Sequence, residues 1–456
     1  MLVPASLALS GALILFAWLG LRARLADGGL DDYITARNSQ GAQAIGLSFC
    51  ASGMGAWILF APPEVGALVG PVALAGYAVG AALPFIVFAF CGPAIRRYLP
   101  EGRSIGEFAQ ACYGNGVRRW VTTISVLYML CFLTAELTAI GAITNLLSEL
   151  DGSIAIVAVA VTTLIYTAWG GLRASLETDR WQALLLLALL IVVAVVALPQ
   201  LPNALDTAKL PDIPLSASLS VALTLVIAVT AANLFHQGYW QRLWAAEDDG
   251  ALGRGAILGG GITVLVVGLV GALGIAASLS LDDIGTPPIP FFALLTQAPA
   301  WLGIVALVLA LCLVASSVDT LQNALASMAV TEKKGLSLTS ARWITCLLMV
   351  PVVLVALQGY SVLRLFLIAD LLCATSVIPV FLGLWSRMTT SAAVAGAMAG
   401  IVGAVLPGAV STGSVMAGFE AASFPGGIPT LVPFLGALCA SAVVSVAVAL
   451  MTPRSC

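Results

Sequence analysis

Charge is what this sequence of 456 residues has least of: Asp, Glu, Lys and Arg together supply 9% of it, against 60% hydrophobic residues. A water-soluble globular protein carries roughly 25% charged residues, so most of this surface must face lipid. There is one histidine, and the nine cysteines are scattered without a CxxC pair or a Cys/His cluster. A zinc site or a disulfide framework therefore has no support, and the thiols read as small hydrophobes in helix packing. No GxxxxGK[ST] phosphate loop occurs, which argues against ATP as an energy source. The polar stretches are too short to hold a soluble catalytic, kinase or nucleotide-binding domain. No cofactor, nucleic acid or obligatory protein partner is indicated.

What is present is a series of apolar segments. A membrane-spanning helix needs about 20 apolar residues, and thirteen candidates are centred near residues 12, 57, 82, 134, 160, 190, 227, 266, 314, 350, 373, 398 and 442. The expected fold class is an all-α integral membrane protein. The first segment has the look of a signal peptide, but its basic residues follow rather than precede it, so a retained span is expected. If the thirteen alternate from an outside N-terminus, loops 22–43, 94–119, 170–180, 241–254, 331–342, 385–389 and 452–456 share the cytoplasmic side. Of the 19 basic residues, only Lys209 and Arg364 then fall on the other side. The positive-inside rule gives N-terminus out and C-terminus in, as in a multi-pass inner (plasma) membrane protein.

Polar groups at membrane depth are costly and tend to mark function. The segment Ser48–Glu64 holds Gly53, Gly55, Trp57 and the pair Pro62-Pro63, so an interrupted helix is expected. Such breaks free carbonyls for a cation and persist where they line a cavity. Ser316, Thr320, Asn323 and Ser327 recur at spacings of three and four and share one helical face. Their oxygens suit a hard cation such as sodium, although interhelical hydrogen bonding by Ser and Asn accounts for them as well, and is the better reading of Ser327 and Gln322. For Asp319, a buried ion pair, a cytoplasmic-side carboxylate and a transport role all stand open. Glu136, mid-span, could relay a proton, meet a substrate or make a packing hydrogen bond; Asp370 is similar. His236 sits in a polar knot with Asn233, Gln237 and Arg242, where a lone histidine reads as a packing residue. The Asp-Asp pairs at 31–32, 248–249 and 282–283 read as solvated loop charge.

Four stretches together resemble the sodium:solute symporter family. They are Asp31-Asp-Tyr-Ile-Thr-Ala-Arg37; Thr167-Ala-Trp-Gly-Gly-Leu-Arg-Ala174 with Thr178-Asp179-Arg-Trp-Gln182; Gln241-Arg242 with Ala245-Ala246; and Ala315-Ser316-Ser317. The resemblance runs from about residue 30 to 405 and implies a leucine-transporter-like core of two inverted five-helix repeats. The repeats would span 44–199 and 216–386, with one extra helix before them (1–22) and two after (389–451). The first helix of each repeat would be interrupted, near residues 57 and 233. Family sodium ligands map to the carbonyls of Ala51, Met54 and Leu313 and the hydroxyls of Ser316 and Ser317. Asp179 corresponds to an acid serving a second sodium or the ion's exit to the cytoplasm. The expected activity is sodium-coupled uptake of a small organic solute, with Gly53, Trp57, Glu64, Glu136, Asn233, His236 and Asp370 as candidate solute contacts. Gly53 stands where the family often has Asp or Asn, and the absence of a set of sugar-binding amides argues against a sugar. A proton-coupled carrier of the same fold would lean on Glu136 or Asp319. A membrane-embedded enzyme or sensor would need a catalytic cluster or signalling domain that the sequence lacks.

Overall fold

A computed structural model describes residues 2–23, 29–201, 212–285, 288–332, 336–359, 363–425 and 428–452. Of the basic residues that define the charge asymmetry, Arg24, Lys209, Lys333, Lys334 and Arg454 lie outside the described residues. Among those described the chain is helical, with no strand beyond an isolated bridge between Gln40 and Ala246. In lipid this is the expected solution, because a helix satisfies its own backbone polar groups.

The helices in chain order are α1 (Leu2–Arg22), α2 (Leu30–Thr35), α3 (Ala42–Gly53), α4 (Ala61–Val69), α5 (Pro71–Tyr98), α6 (Ile105–Tyr113), α7 (Asn115–Leu147), α8 (Gly152–Ala197) and α9 (Leu215–Leu234). Then follow α10 (Gln237–Ala245), α11 (Asp249–Ser280), α12 (Pro290–Thr296), α13 (Trp301–Glu332), α14 (Leu338–Leu357), α15 (Leu363–Phe381), α16 (Thr390–Thr412), α17 (Val415–Ala422) and α18 (Leu431–Met451). Among the described residues eleven helices are long and apolar enough to cross a membrane, or twelve when a bent pair counts as one span.

The difference from the thirteen expected lies in α8. Run straight, a helix of 46 residues would be about 70 Å long at 1.5 Å per residue, more than twice the hydrocarbon thickness. It is broken at Gly171, where φ is 60° and ψ −147°. The two sides of the break meet the same turn of α13: Thr167 Oγ1 donates to Gln322 Oε1 at 2.8 Å, and Thr178 Oγ1 donates to Asp319 Oδ2 at 3.0 Å. The chain therefore doubles back at Gly171. A Cβ there would run into the backbone and ring of Tyr33, and φ lies where only glycine is comfortable. This is the turn that the Trp-Gly-Gly stretch encodes.

Two further breaks shape the centre. The pair Ala42–Gly53 and Ala56–Val69 is bent by 65°. The break falls at Met54 and Gly55, both extended, earlier than the prolines suggest. Pro62 and Pro63 instead open α4, where the first turn has no intrahelical use for their missing N–H groups. The second break separates α9 from α10 at Phe235 and His236.

One end of the molecule is held by charge. Asp31 accepts from Arg37 (3.0 Å) and Arg103 (3.0 Å), Asp32 from Arg173 (2.7 Å), Asp249 from Arg97 (3.1 Å) and Glu332 from Arg118 (3.1 Å). The Asp pairs at 31–32 and 248–249 are thus not merely solvated charge: the first ties α2 to α8 and to the segment before α6, and the second ties α11 to the end of α5, while Arg118 and Glu332 join α7 to α13. Asp248 caps α11 through the Ala251 N–H at 2.6 Å, while Asp283 accepts from the Gly285 N–H in its own loop. Two cavities, of about 690 and 670 Å³, open on this basic end.

Candidate functional site

The sodium ligands implied by the sequence stand at the junction of α3 and α13, two helices that pack together. Ala51 and Met54 flank the end of α3, and the Met54 N–H reaches back to the Ala51 carbonyl at 3.3 Å. Leu313 lies one turn before Ser317 on α13. Ser317 Oγ is buried and has no hydrogen-bond partner. Ser316 Oγ donates to Asp179 Oδ1 at 2.6 Å, so its lone pairs remain free. An orphaned hydroxyl, and beside it in the chain a hydroxyl whose proton is already committed, are oxygens of the kind that suit a hard monovalent cation.

Asp179 is not open to a second ion in this arrangement. Arg242 Nη2 lies 2.7 Å from Asp179 Oδ2, and both side chains are 0% exposed. Ser48 Oγ donates to the same oxygen at 2.6 Å. Arg242 further donates to Ser48 Oγ (3.0 Å), the Gly238 carbonyl (2.9 Å) and Thr320 Oγ1 (3.0 Å). One guanidinium thereby joins α3, α8, α10 and α13. Its fixed fork suits this geometry better than an ammonium would. The Arg242 partnership escaped sequence reasoning, because both residues stand in polar stretches where neither charge stands out.

Asp319 makes no ion pair among the described residues. Its carboxylate accepts from Tyr166 (2.6 Å), Ser175 (2.6 Å) and Thr178 (3.0 Å), a hydroxyl cage that stands in for water. Thr320 Oγ1 sits between the cage and the Arg242 cluster, 3.3 Å from Ser175 Oγ. Gln322, as expected, bonds between helices, to Thr163 and Thr167. Ser327 does so too, meeting Gln237 and the Arg103 carbonyl.

Glu136, buried on α7, accepts the Ala56 N–H at 2.8 Å. It therefore caps the chain as helix resumes after the break, a carboxyl oxygen where N–H groups lack intrahelical partners. A Cβ on Gly55 would overlap the Glu136 carboxylate. Gly53 has a packing role of its own: a Cβ there would come 2.4 Å from the Tyr239 hydroxyl, and Tyr239 belongs to a ring cluster with Phe49, Phe85 and Phe88.

The other candidate solute contacts gather around the two breaks. Trp57 stacks on Tyr77 with centroids 5.4 Å apart. Glu64, in the first turn of α4, is half-buried. Asn233 Oδ1 accepts from the Tyr128 hydroxyl at 3.3 Å. His236 Nδ1 accepts the Gly238 N–H at 3.1 Å and caps α10. The ring is therefore neutral with its proton on Nε2, which has no partner. It stacks on Tyr239 at 4.7 Å. Asp370, on α15, is 4% exposed, and its Oδ1 has no partner. Tyr77 and Tyr128 lie within electrostatic range of its carboxylate. Sequence reasoning missed both tyrosines, whose only signal was a polar ring in a mid-span aliphatic run.

The sequence pattern of the sodium:solute symporter family matches residues 33–275, which contain the first break, the Gly171 turn, Asp179 and Arg242. The chain belongs to this family. It is also 31% identical to a spermidine transporter of Candida albicans over 365 residues, covering 77% of this chain and 69% of that one. Its fold is similar to that of a sodium-coupled sialic acid symporter, a structure determined for that protein in a substrate-bound outward-open state, with a TM-score of 0.80 at 16% identity over 99% of this chain and 98% of the other. A nucleobase-cation-symport-1 family transporter, closed around bromovinylhydantoin, matches with a TM-score of 0.63 at 14% identity over 92% and 94% of the two chains. The symporter is thus a leucine-transporter-like solute carrier and not an enzyme.

Proposed function

We infer that the protein is a sodium-coupled symporter that carries a small organic solute into the cell by alternating access. The observation that carries this reading is the buried, partnerless Ser317 Oγ, next to Ser316, which is tied to Asp179 and through it to Ser48 of α3. Sodium bound between the Ala51, Met54 and Leu313 carbonyls and the two serine hydroxyls would bridge α3 to α13. It would thereby favour the state in which those helices are apposed. Coupling follows if solute and ion both bind that state better than its alternative.

In this reading the basic end faces the cytoplasm, in a plasma membrane, with the N-terminus outside. Solute reaches Trp57, Glu64 and Asp370 from the opposite side. The repeats 44–199 and 216–386 rock about the two breaks. The Asp179–Arg242 cluster and the Asp31–Arg103 pair form the closed inner gate, and their opening releases the ion past Asp179. Because Arg242 already neutralises Asp179, one sodium per cycle is the stoichiometry this reading favours.

The test is uptake into proteoliposomes under an inward sodium gradient, using a labelled panel of amino acids, urea, carboxylates, sugars and spermidine, the last because the Candida relative carries it. Uptake should collapse without the gradient, and Ser317→Ala should raise the half-saturating sodium concentration by about tenfold, the loss of one ligand at roughly 1.4 kcal/mol. Uptake driven by a pH gradient and indifferent to sodium would overturn the reading.

A further inference from the structure

We propose that the solute site takes a protonated organic amine, with the Asp370 carboxylate as its counter-ion and Glu64 seating a second amine where the solute has one. This assignment rests on the symport reading for the location of the site, and on the charges for its chemistry.

Among the described residues the buried ionisable groups within the spans are Glu136, Asp179, His236, Arg242, Asp319 and Asp370. Four are carboxylates, and three of them are already compensated. Asp179 has Arg242, Asp319 has three hydroxyl donors, and Glu136 has the Ala56 N–H. His236 is neutral, because its Nδ1 accepts a backbone hydrogen. Asp370 is left with an unpartnered oxygen and with no Lys, Arg or His in ion-pair range among the described residues. A carboxylate in lipid without compensation is expensive, so a cationic solute is the natural partner for this one.

The surroundings fit an ammonium group. Phe366, one turn before Asp370, packs on Tyr128 at 5.6 Å, Trp57 stacks on Tyr77, and both tyrosines lie within electrostatic range of the carboxylate. Aromatic faces beside a carboxylate stabilise an ammonium group and its methylene chain together. Glu64, half-buried in the first turn of α4, also lies within electrostatic range of Tyr77. Among the described residues Arg242 is the one buried Lys or Arg side chain within the spans, and it is held by Asp179.

The experiment measures binding to the purified full-length protein in lipid nanodiscs by calorimetry, using butylamine, 1,4-diaminobutane, butanol and butyrate, with and without sodium. Butylamine and 1,4-diaminobutane should bind, the diamine more tightly, and butanol and butyrate should not. Asp370→Asn should weaken both amines on the order of a hundredfold, the effect of removing one partner of a buried charge pair. Glu64→Gln should weaken the diamine to the level of the monoamine and leave butylamine unchanged. Sodium-dependent thermal stabilisation, read without amine, reports that each variant is folded. Should Asp370→Asn fail to fold, the four-compound series on the unaltered protein decides the matter. Equal binding of butanol or butyrate, or an Asp370→Asn protein that binds amines normally, overturns the proposal. Amine binding that sodium does not strengthen leaves the amine site standing and overturns the coupling reading instead.

Discussion

Breaking the Asp179–Arg242 pair should reveal how much of the fold hangs on one guanidinium. The pair is 2.7 Å apart and wholly buried, and Arg242 also holds Ser48, Gly238 and Thr320. Removing one partner of such a pair leaves the other charge buried and unpaired, at a cost of about 3–5 kcal/mol. Arg242→Gln keeps some hydrogen-bonding capacity but no charge, so it belongs near the lower end of that range, and Asp179→Asn likewise. The double variant has no orphaned charge, and it should lose less than the sum of the two singles. The interaction energy in the cycle should therefore be about 2 kcal/mol or more. Denaturant titration of micelle-solubilised protein, followed by tryptophan fluorescence, gives the three free-energy differences. Singles within about 0.5 kcal/mol of the parent, the range of ordinary surface changes, or strict additivity in the double, would refute the argument that Arg242 is the neutralising charge.

Three other outcomes are expected. Gly53→Ala should destabilise the protein by about 1–3 kcal/mol, because the methyl meets the Tyr239 hydroxyl; a melting curve matching the parent would show that the ring cluster gives way freely. Glu136→Gln should keep the cap on Ala56 through its amide oxygen, whereas Glu136→Ala should cost about 1–3 kcal/mol for the orphaned N–H; equal stabilities would remove the capping role. At the basic end, burial raises the Asp31 carboxyl, but Arg37 and Arg103 more than reverse this and hold it below its ordinary value. A lowered folded-state value means that the Asp31 contribution is present above the ordinary carboxylate range and is lost as pH falls through it. The parent should thus lose more stability between pH 7 and pH 3 than Asp31→Asn does, and parallel melting-temperature profiles would contradict this.

The sequence displayed the fold more openly than the site. Apolar segments, the interrupted helix before Glu64 and the polar knot at 233–242 are all local patterns, and local patterns are what periodicity and proline or glycine placement encode. The position of the first break was less legible, because Pro62-Pro63 is a strong local signal with two meanings, helix breaker or first turn, and only the packing around Met54 and Gly55 selects between them. The doubling back of α8 at Gly171 falls in the 170–180 loop expected between the spans near 160 and 190, where Gly170-Gly171 is the local signal. The partners at the site were hidden for a different reason. Asp179 and Arg242 are 63 positions apart, and Glu136 is 80 from Ala56. Such pairs are set by tertiary packing that no spacing rule reaches.

The turn at Gly171 also bears on how the protein is made. With no loop between its two halves, α8 must enter the bilayer as one hairpin, early in synthesis. The Tyr166, Ser175 and Thr178 hydroxyls that will cage Asp319 precede their acceptor by 153, 144 and 141 residues. Until α13 is translated they have only their own helices to bond with, so the hairpin waits in lipid with its polar face provisionally satisfied. Locking of the inner half is then necessarily a late event in biogenesis, and ribosome-bound chains ending before residue 319 should hold the hairpin inserted but still open to exchange.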